Sequence, residues 1–213
     1  MEQLDQLITL IALSMGVGWA SGINLYAAIL MLGLMSNMGH MTLPPGLELL
    51  ADPMVLIAAG FMYCVEFFAD KVPGVDTGWD TIHTFIRIPA GAILAAGAMG
   101  EVNGAAMVAA GLIGGSMAAT SHTLKAGSRV LINTSPEPVS NWLASLSEDI
   151  LVIAGLWAAL SQPVVFLVAL LAFILFAVWL LPRIWGGIKK VFRWIFPRAE
   201  YERNASESLM KIK

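Results

Sequence analysis

The sequence predicts an all-α integral membrane protein with about six short or interrupted transmembrane helices. Composition is the first observation behind this: 58% of the 213 residues are hydrophobic and 13% are charged, with a mean hydropathy of +0.76. Soluble domains are about 45–50% apolar and about 25% charged. The second observation is the unbroken apolar run of residues 164–181, which is long enough to cross a bilayer. Residues 1–182 are therefore expected to form a single membrane domain.

Charge and cysteine usage narrow the possible functions. The net charge of −3 provides no basic surface for a phosphate backbone, so nucleic acid is excluded as a partner. The single cysteine, Cys64, cannot form an internal disulfide. The first five residues include Glu2 and Asp5 and no basic residue, unlike the start of a cleaved signal peptide. The membrane segments themselves are expected to direct insertion, with membrane lipids as partners.

The other apolar stretches are short, rich in Ala and Gly, and interrupted by polar residues. Residues 7–34 are long enough to cross, but glycines, Ser21 and Asn24 lie at their middle, which predicts a broken or re-entrant helix. The further segments are residues 53–65, 88–99, 105–119 and 150–160. Small residues let helices approach closely in lipid. The glycines are therefore interpreted mainly as packing positions, and a homo-oligomer is expected.

The C-terminal part of the chain has a different character. Apolar residues form one stripe at helical spacing: Trp185, Ile188, Phe192 and Ile195. This predicts an interfacial amphipathic helix over residues 183–198, followed by a polar tail over residues 199–213. Eight of the twelve Lys and Arg residues lie from residue 183 onward. The positive-inside rule then predicts a cytoplasmic C-terminus.

Two nearly equal sequence offsets indicate an internal repeat. An offset of 99 places residues 20–28 over 119–127, and an offset of 97 places residues 52–58 over 149–155. The prediction is two inverted three-helix repeats, as in many transporters, with chance similarity between Ala-rich segments as the alternative. The repeats would span residues 7–100 and 103–182.

If the repeat is real, its two polar interruptions should meet near the middle of the membrane. They lie around residues 21–24 and 120–123. Broken helices expose backbone groups and partially charged helix ends, which commonly form a solute or ion site. The alternative is a helix kink satisfied by neighbouring side chains.

The most informative charged segment follows a helix break at residues 71–74. Asp76, Asp80, His83 and Arg87 then recur at i, i+4, i+7 and i+11 and share one face of a helix. Ionisable groups in a membrane are costly and normally pair with each other or face a cavity.

Three interpretations of this face remain open. The first is a self-neutralising interfacial helix in which Asp80 pairs with Arg87, or Asp76 with Lys71. The second is a solute or proton pathway in which His83 titrates, lined by Glu66, Asp70, Asp76, Asp80 and His83. The third, and weakest, is an oxygen-rich metal site at Asp76, Asp80 and His83. No familiar metal signature supports it, so no metal or cofactor is expected.

A basic face in the second half complements this acidic segment. His122, Lys125 and Arg129 lie at i, i+3 and i+7, and we expect them to pair with the acidic groups of the first half. The alternatives are snorkelling to the interface and binding of a phosphate or anionic solute. The complete predicted pathway comprises Ser21, Asn24, Glu66, Asp70, Asp76, Asp80, His83, Arg87, Thr120, His122, Lys125 and Arg129.

The chain has no nucleophile elbow, phosphate-binding loop or intramembrane protease motif, so it is not expected to be an enzyme. The segments GWASGINLYAAIL and ADKVPGVDTGWDTIHTFIR resemble an uncharacterised bacterial family of polytopic inner-membrane proteins, catalogued as a domain of unknown function. The resemblance implies a multi-pass inner-membrane protein and carries no activity.

The leading hypothesis is a small inner-membrane transporter or channel-like protein. It would move a small solute, ion or proton through a polar centre between two halves. The alternatives are a membrane scaffold or accessory subunit that does not transport, and a protein that binds or flips lipid.

Overall fold

The computed structural model describes residues 2–100, 102–134 and 139–195, and these residues form helices and no strand. The elements are α1 (Glu2–Asn37), a 3₁₀ helix (Pro45–Ala51), α2 (Pro53–Ala69), α3 (Val75–Ala98), α4 (Gly104–Ile132), α5 (Val139–Ser161) and α6 (Pro163–Ile195). Five helices are long and apolar enough to span a membrane, and the 3₁₀ helix with α2, bent by 67°, can make a sixth. The all-α membrane class is confirmed. The predicted tail lies outside the described residues.

The helices alternate in direction, so α2, α4 and α6 end where α3 and α5 begin. Asn133, just after α4, donates from Nδ2 to Asp76 at the start of α3 (2.7 Å) and accepts from Asn141 Nδ2 near the start of α5 (2.9 Å). Trp194, near the end of α6, lines one cavity with Gly74. We call this the basic end of the bundle, because Lys71, Arg129 and Lys190 lie near it. The remaining helix ends form the opposite end.

The first helix is a hairpin with Asn24 at its tip. Asn24 has extended backbone angles (φ −147°, ψ 97°) inside an otherwise helical segment. Before the tip, Ser14 donates to the carbonyl of Ala95 near the end of α3 (2.9 Å). After it, Asn37 donates to the carbonyl of Ala51 (2.9 Å), in the 3₁₀ helix that packs on the end of α3. The first limb therefore starts at the opposite end and the second limb returns to it, and the predicted interruption of the first segment is confirmed.

Glycines bring α1, α3 and α4 into close contact. A Cβ atom on Gly18 would lie 2.7 Å from the Cα atom of Gly114, and one on Gly22 would overlap the carbonyl of Ala118. A Cβ atom on Gly91 would lie 2.6 Å from the Ala118 side chain. The interpretation of these glycines as packing positions is confirmed.

The predicted interruption at residues 120–123 is wrong, because α4 is helical throughout. Thr120 donates to the carbonyl of Ser116 (2.8 Å) and Thr123 to that of Ala119 (2.7 Å). Hydroxyl groups that bond back to the preceding turn leave the helix intact. The expected start of α5 after Asp149 is also wrong, because the helix begins ten residues earlier, at Val139.

The two halves do not match as three-helix inverted repeats. The pairs α2/α5 and α3/α6 run in opposite directions, as inversion requires, but α1 is a hairpin whereas α4 is one unbroken helix. The similar segments instead pack against each other: Gly22 lies against Ser121, and the carbonyl of Ile23 accepts from Lys125 (3.1 Å). They do meet, as expected, but as neighbouring helices that share small residues.

The predicted boundary at residue 182 is absent, because α6 continues through Pro182 to Ile195. Ala177 and Ile184, on either side of Pro182, are buried against Leu124 of α4. Packing on both sides holds the helix together across the missing backbone donor. Residues 183–195 are thus a continuation of a bundle helix, and residues 196–198 lie outside the described part.

Candidate functional site: a buried charge network

Seven charged side chains from four helices meet inside the bundle. They are the carboxylates Glu66, Asp70, Asp80 and Glu148 and the cations Arg87, Lys125 and Arg129. Glu148 is 17% exposed at its side chain, and the other six are no more than 4% exposed. We call this set the buried charge network.

Helical spacing aims these groups at each other. Glu66 and Asp70 are one turn apart at the end of α2, and Asp80 and Arg87 are two turns apart on α3. Lys125 and Arg129 are one turn apart near the end of α4, and Glu148 projects from α5. Arg87 lies at the middle of α3, so the network extends from the basic end to about half the depth of the bundle.

Arg87 joins two carboxylates in the most deeply buried part of the network. Its Nη2 atom lies 2.7 Å from Glu66 Oε1 and its Nη1 atom 3.1 Å from Asp80 Oδ1. The backbone carbonyl of Arg87 accepts from Ser21 Oγ (2.7 Å), which attaches α3 to the hairpin. The predicted pairing of Asp80 with Arg87 is confirmed.

Lys125 lies within 4.0 Å of all four carboxylates. Its Nζ atom is 2.7 Å from Asp70, 3.4 Å from Glu148, 3.6 Å from Glu66 and 3.9 Å from Asp80. The ammonium also donates to the carbonyl of Ile23 (3.1 Å), at the end of the first hairpin limb. A cation is favourable there, because the last carbonyls of a helix carry partial negative charge.

Arg129 connects α2, α4 and α5 at the basic end. It pairs with Glu148 at 2.7 Å and lies 3.8 Å from Asp70. It also donates to Asn141 Oδ1 (2.9 Å) and to the carbonyl of Asp70 (3.0 Å). Because Lys125 and Arg129 both contact acidic groups of the first half, the predicted pairing across the halves is confirmed.

Asn24 connects the hairpin tip to α5. Its Oδ1 atom accepts from the backbone N–H of Ala27 (3.0 Å), which caps the second limb. Its Nδ2 atom donates to Asp149 Oδ1 (2.9 Å), and Tyr63 donates to the other oxygen of Asp149 (3.3 Å). Neither Asp149 nor the network member Glu148 is among the site residues predicted from the sequence. Their adjacent positions within an apolar helix were the available signal.

The two histidines occupy different environments. His83 stacks on Trp79, and its ring nitrogens contact the carbonyl of Trp79 (2.9 Å) and the hydroxyl of Tyr26 (3.1 Å). His122 contacts Thr84 Oγ1 (2.7 Å) and Arg87 Nη1 (3.4 Å). Since a guanidinium only donates, the His122 nitrogen facing Arg87 is assigned as an acceptor. His122 therefore borders the network, and His83 does not contact its charges.

Two predicted site residues have structural roles outside the network. Asp76 Oδ1 accepts from the backbone N–H of Thr77 (2.6 Å) and from Asn133 Nδ2 (2.7 Å), which fixes the start of α3. Thr120 is part of a shallow cleft between α4 and α6, on the outside of the bundle.

The metal candidate is not assembled. Within residues 2–100, 102–134 and 139–195, no group of three His, Cys, Asp or Glu side chains could hold a metal ion. Asp76 binds Asn133, Asp80 binds Arg87, and His83 binds Tyr26.

Lys71, between α2 and α3, does not pair with Asp76 as predicted. Its ammonium donates to the carbonyl of Phe67 (3.0 Å) and to Ser145 Oγ (3.3 Å), and it lies 3.0 Å from the centre of the Phe67 ring. Burial lowers the pKa of Lys71, because desolvation disfavours the charged ammonium. Lys71 thus sits in an aromatic environment beside the network.

The network is not fully paired. Three carboxylate oxygens are buried without a hydrogen-bond partner: Glu66 Oε2, Asp70 Oδ1 and Asp80 Oδ2. A cavity of about 190 Å³ between α4, α5 and α6 reaches Lys125 and Glu148. The Nε atoms of Arg87 and Arg129 are also buried without a partner. The network therefore has unused acceptors and unused donors, and an opening at its most exposed carboxylate.

Apolar helices packed around a charged interior define a multi-pass membrane protein with a polar centre. The chain belongs to the family described as domain of unknown function DUF4126, whose profile matches residues 11–183. The matched region contains the whole network and the hairpin tip. The chain matches no curated protein and no solved structure.

Proposed function

We propose that this protein is a small transporter or channel-like protein of the bacterial inner membrane, with the buried charge network as its polar centre. The observation that carries the proposal is the set of unpartnered carboxylate oxygens inside a membrane bundle. Buried polar groups without partners are costly, and ionisable groups at membrane depth commonly mark ion or proton pathways. A bundle with only a structural role would be more stable with apolar residues at these positions.

The opening at Glu148 favours a small cation as the transported species. The cavity of about 190 Å³ has a carboxylate and an ammonium on its wall, and the remaining lining is mainly apolar. At about 30 Å³ per water molecule, this space holds several waters or one small hydrated ion. Glu148 is the most exposed member of the network, so a cation that enters here meets a carboxylate first.

The distribution of basic residues supports a cytoplasmic position for the basic end. The described segments at the opposite end contain no Lys or Arg: residues 2–16, 37–53, 98–100, 102–104 and 161–163. Ten of the twelve basic residues are Lys71, Arg129 and those from residue 183 onward. By the positive-inside rule the basic end faces the cytoplasm. The chain then makes five crossings, preceded by a re-entrant hairpin, and the end of α6 is cytoplasmic.

The outer surface supports two further parts of the proposal. Trp185, Phe192 and Trp194 are exposed on the last turns of α6, next to Lys189 and Lys190. This combination suits the membrane interface, where aromatic and basic side chains anchor helices. The exposed apolar faces of the bundle also allow a homo-oligomer, which mass measurement in lipid nanodiscs would reveal.

Ion flux in proteoliposomes tests the proposal. Purified protein is reconstituted, and uptake of H⁺, Na⁺ and K⁺ is followed with ion-sensitive dyes under an imposed gradient. We expect flux of at least one ion above that of protein-free vesicles, reduced at least tenfold in Glu148→Gln. Asp76→Asn is the matched control, because Asp76 is a buried carboxylate outside the network that also has an unpartnered oxygen, Oδ2. Among the described residues its hydrogen bonds all reach Oδ1, and an amide oxygen can accept them.

Other outcomes would contradict transport through the network. Wild-type protein that moves none of the three ions overturns the ion-transport proposal. Equal flux in wild type and Glu148→Gln overturns the proposal that the cation enters beside Glu148. A stoichiometric protein partner without flux would favour the scaffold, and movement of labelled lipid between leaflets would favour lipid flipping.

A further inference from the structure

The charges of the network do not balance. Four carboxylates face three cations, so the fully ionised set carries a net charge of −1. An uncompensated charge inside a bundle is strongly disfavoured, because the low dielectric interior cannot replace its hydration. One additional positive charge would make the network neutral.

Taken together, the neighbouring side chains do not supply that charge. The ionisable groups that surround the network are Tyr26 of α1, His83 of α3, His122 of α4 and Asp149 of α5, together with Lys71. Asp149 adds negative charge, and the His122 nitrogen that faces Arg87 is an acceptor. Lys71 has no carboxylate within 4.0 Å among the described residues, but it interacts electrostatically with Asp70, Glu148 and Asp149. Its positive charge is offset by the negative charge of Asp149, so the larger set of five carboxylates and four cations again carries a net charge of −1.

The distances single out one carboxylate as the least compensated. Glu66, Asp70 and Glu148 each have one cation at 2.7 Å. The nearest cations of Asp80 are Arg87 at 3.1 Å and Lys125 at 3.9 Å. Both of these contacts are made by Oδ1, while Oδ2 is buried and has no partner. Asp80 therefore loses least from its cations when it becomes neutral.

We propose that the buried charge network is a binding site for one proton, carried by Asp80 at its Oδ2 atom. A bound proton makes the network neutral and keeps Oδ1 free to accept from Arg87. A proton fits better than a metal ion, because no three ligating side chains converge in the described part of the chain. The presence of the proton is independent of transport, whereas its use as the transported or coupling ion rests on the proposed function.

Infrared spectroscopy tests the proposal without any ion gradient. Wild-type protein in lipid nanodiscs is measured at pH 7 in H₂O and in D₂O. We expect the C=O stretching band of a buried protonated carboxyl group, shifted by deuteration. The band should be lost in Asp80→Asn and retained in the control Asp76→Asn. Absence of the band in wild type, or its full retention in Asp80→Asn, overturns the proposal.

Thermal unfolding gives a second, independent test. If Asp80 is already neutral, Asp80→Asn replaces one neutral group by another, and its Tm should remain close to that of wild type. Glu66→Gln instead removes the charge that faces Arg87 at 2.7 Å and should lower the Tm clearly. An Asp80→Asn protein that fails to fold, or that loses as much Tm as Glu66→Gln, contradicts the assignment. Neither measurement depends on flux, so failure of the transport proposal leaves them unaffected.

Discussion

Lys71 shows at the scale of one residue how burial affects stability. Its pKa is lowered by desolvation, whereas a lysine in an unfolded chain has a pKa of about 10.4. Between the two pKa values the unfolded protein binds more protons than the folded one. Stability should therefore rise as the pH is raised through this window toward about 10.4, because the ammonium no longer needs to be buried.

We predict that Lys71→Met removes part of this pH dependence. Methionine fills a similar volume beside Phe67 without a charge, so the Tm of the variant should exceed or equal that of wild type near neutral pH. The gap should narrow as the pH approaches 10. The measurement is the Tm of both proteins in nanodiscs between pH 7 and pH 10, with Lys189→Met, an exposed lysine, as control. If the Tm of wild type and of Lys71→Met changed in parallel with pH, burial of the Lys71 ammonium would not be the cause of the pH dependence.

Sequence spacing identified most charged residues of the network. It did not show how deep in the bundle each residue lies. The 7-residue separation of Asp80 and Arg87 placed both on one helix face and predicted their pairing. Asp76 shares that face but lies at the end of the helix, where Asn133 binds it. Spacing on one helix shows which side chains share a face and does not show how deep each one lies. Asp149 was missed for a related reason, since its partner Asn24 is 125 positions away in the chain.

At the scale of helices, glycines determine how closely α1 and α4 pack. We predict that Gly22→Ala destabilises the protein by about 1–3 kcal/mol, the usual cost of overpacking, because its methyl group would overlap the backbone of α4 at Ala118. Gly78 is also helical, but a Cβ atom on it would meet no atom of another element within 4 Å. Gly78→Ala should therefore be neutral, or stabilising by up to about 1 kcal/mol, through helix propensity alone.

The contrast between these two substitutions is measured by thermal unfolding in the same detergent. Equal Tm values for Gly22→Ala and Gly78→Ala would show that the α1–α4 contact does not need glycine. Because Gly22 lies two residues before Asn24, a loosened contact should also weaken the bond between Lys125 and the carbonyl of Ile23.

Composition predicted which segments form apolar helices better than it predicted where those helices are interrupted. Polar residues near the middle of an apolar segment predicted two breaks, and only the one at Asn24 occurs. An asparagine can cap a new helix and bind a partner on α5 at the same time. Thr120 and Thr123 satisfy their hydroxyls on the preceding turn. Whether a polar residue breaks a helix thus depends on the partners that the tertiary structure offers, and one sequence does not reveal them.

In the proposed topology the whole molecule has an odd number of crossings, because α1 turns back at Asn24. Its second limb has 13 residues and spans about 20 Å at 1.5 Å per residue, too short for an independent crossing of about 30 Å. Both limbs also contact the same end of the bundle, through Ser14 and Asn37. Residues before and after α1 should therefore lie on the same side of the membrane.

Cysteine labelling in intact cells tests this topology. In a Cys64→Ala background, Gln6→Cys, His40→Cys and Thr134→Cys each introduce one exposed thiol. A membrane-impermeant maleimide should label positions 6 and 40 from outside the cell, because they flank the hairpin at the opposite end. Position 134, at the basic end, should react only after the membrane is permeabilised. Labelling of positions 6 and 40 from different sides would show that α1 crosses the membrane, and the basic end would then need to be assigned again.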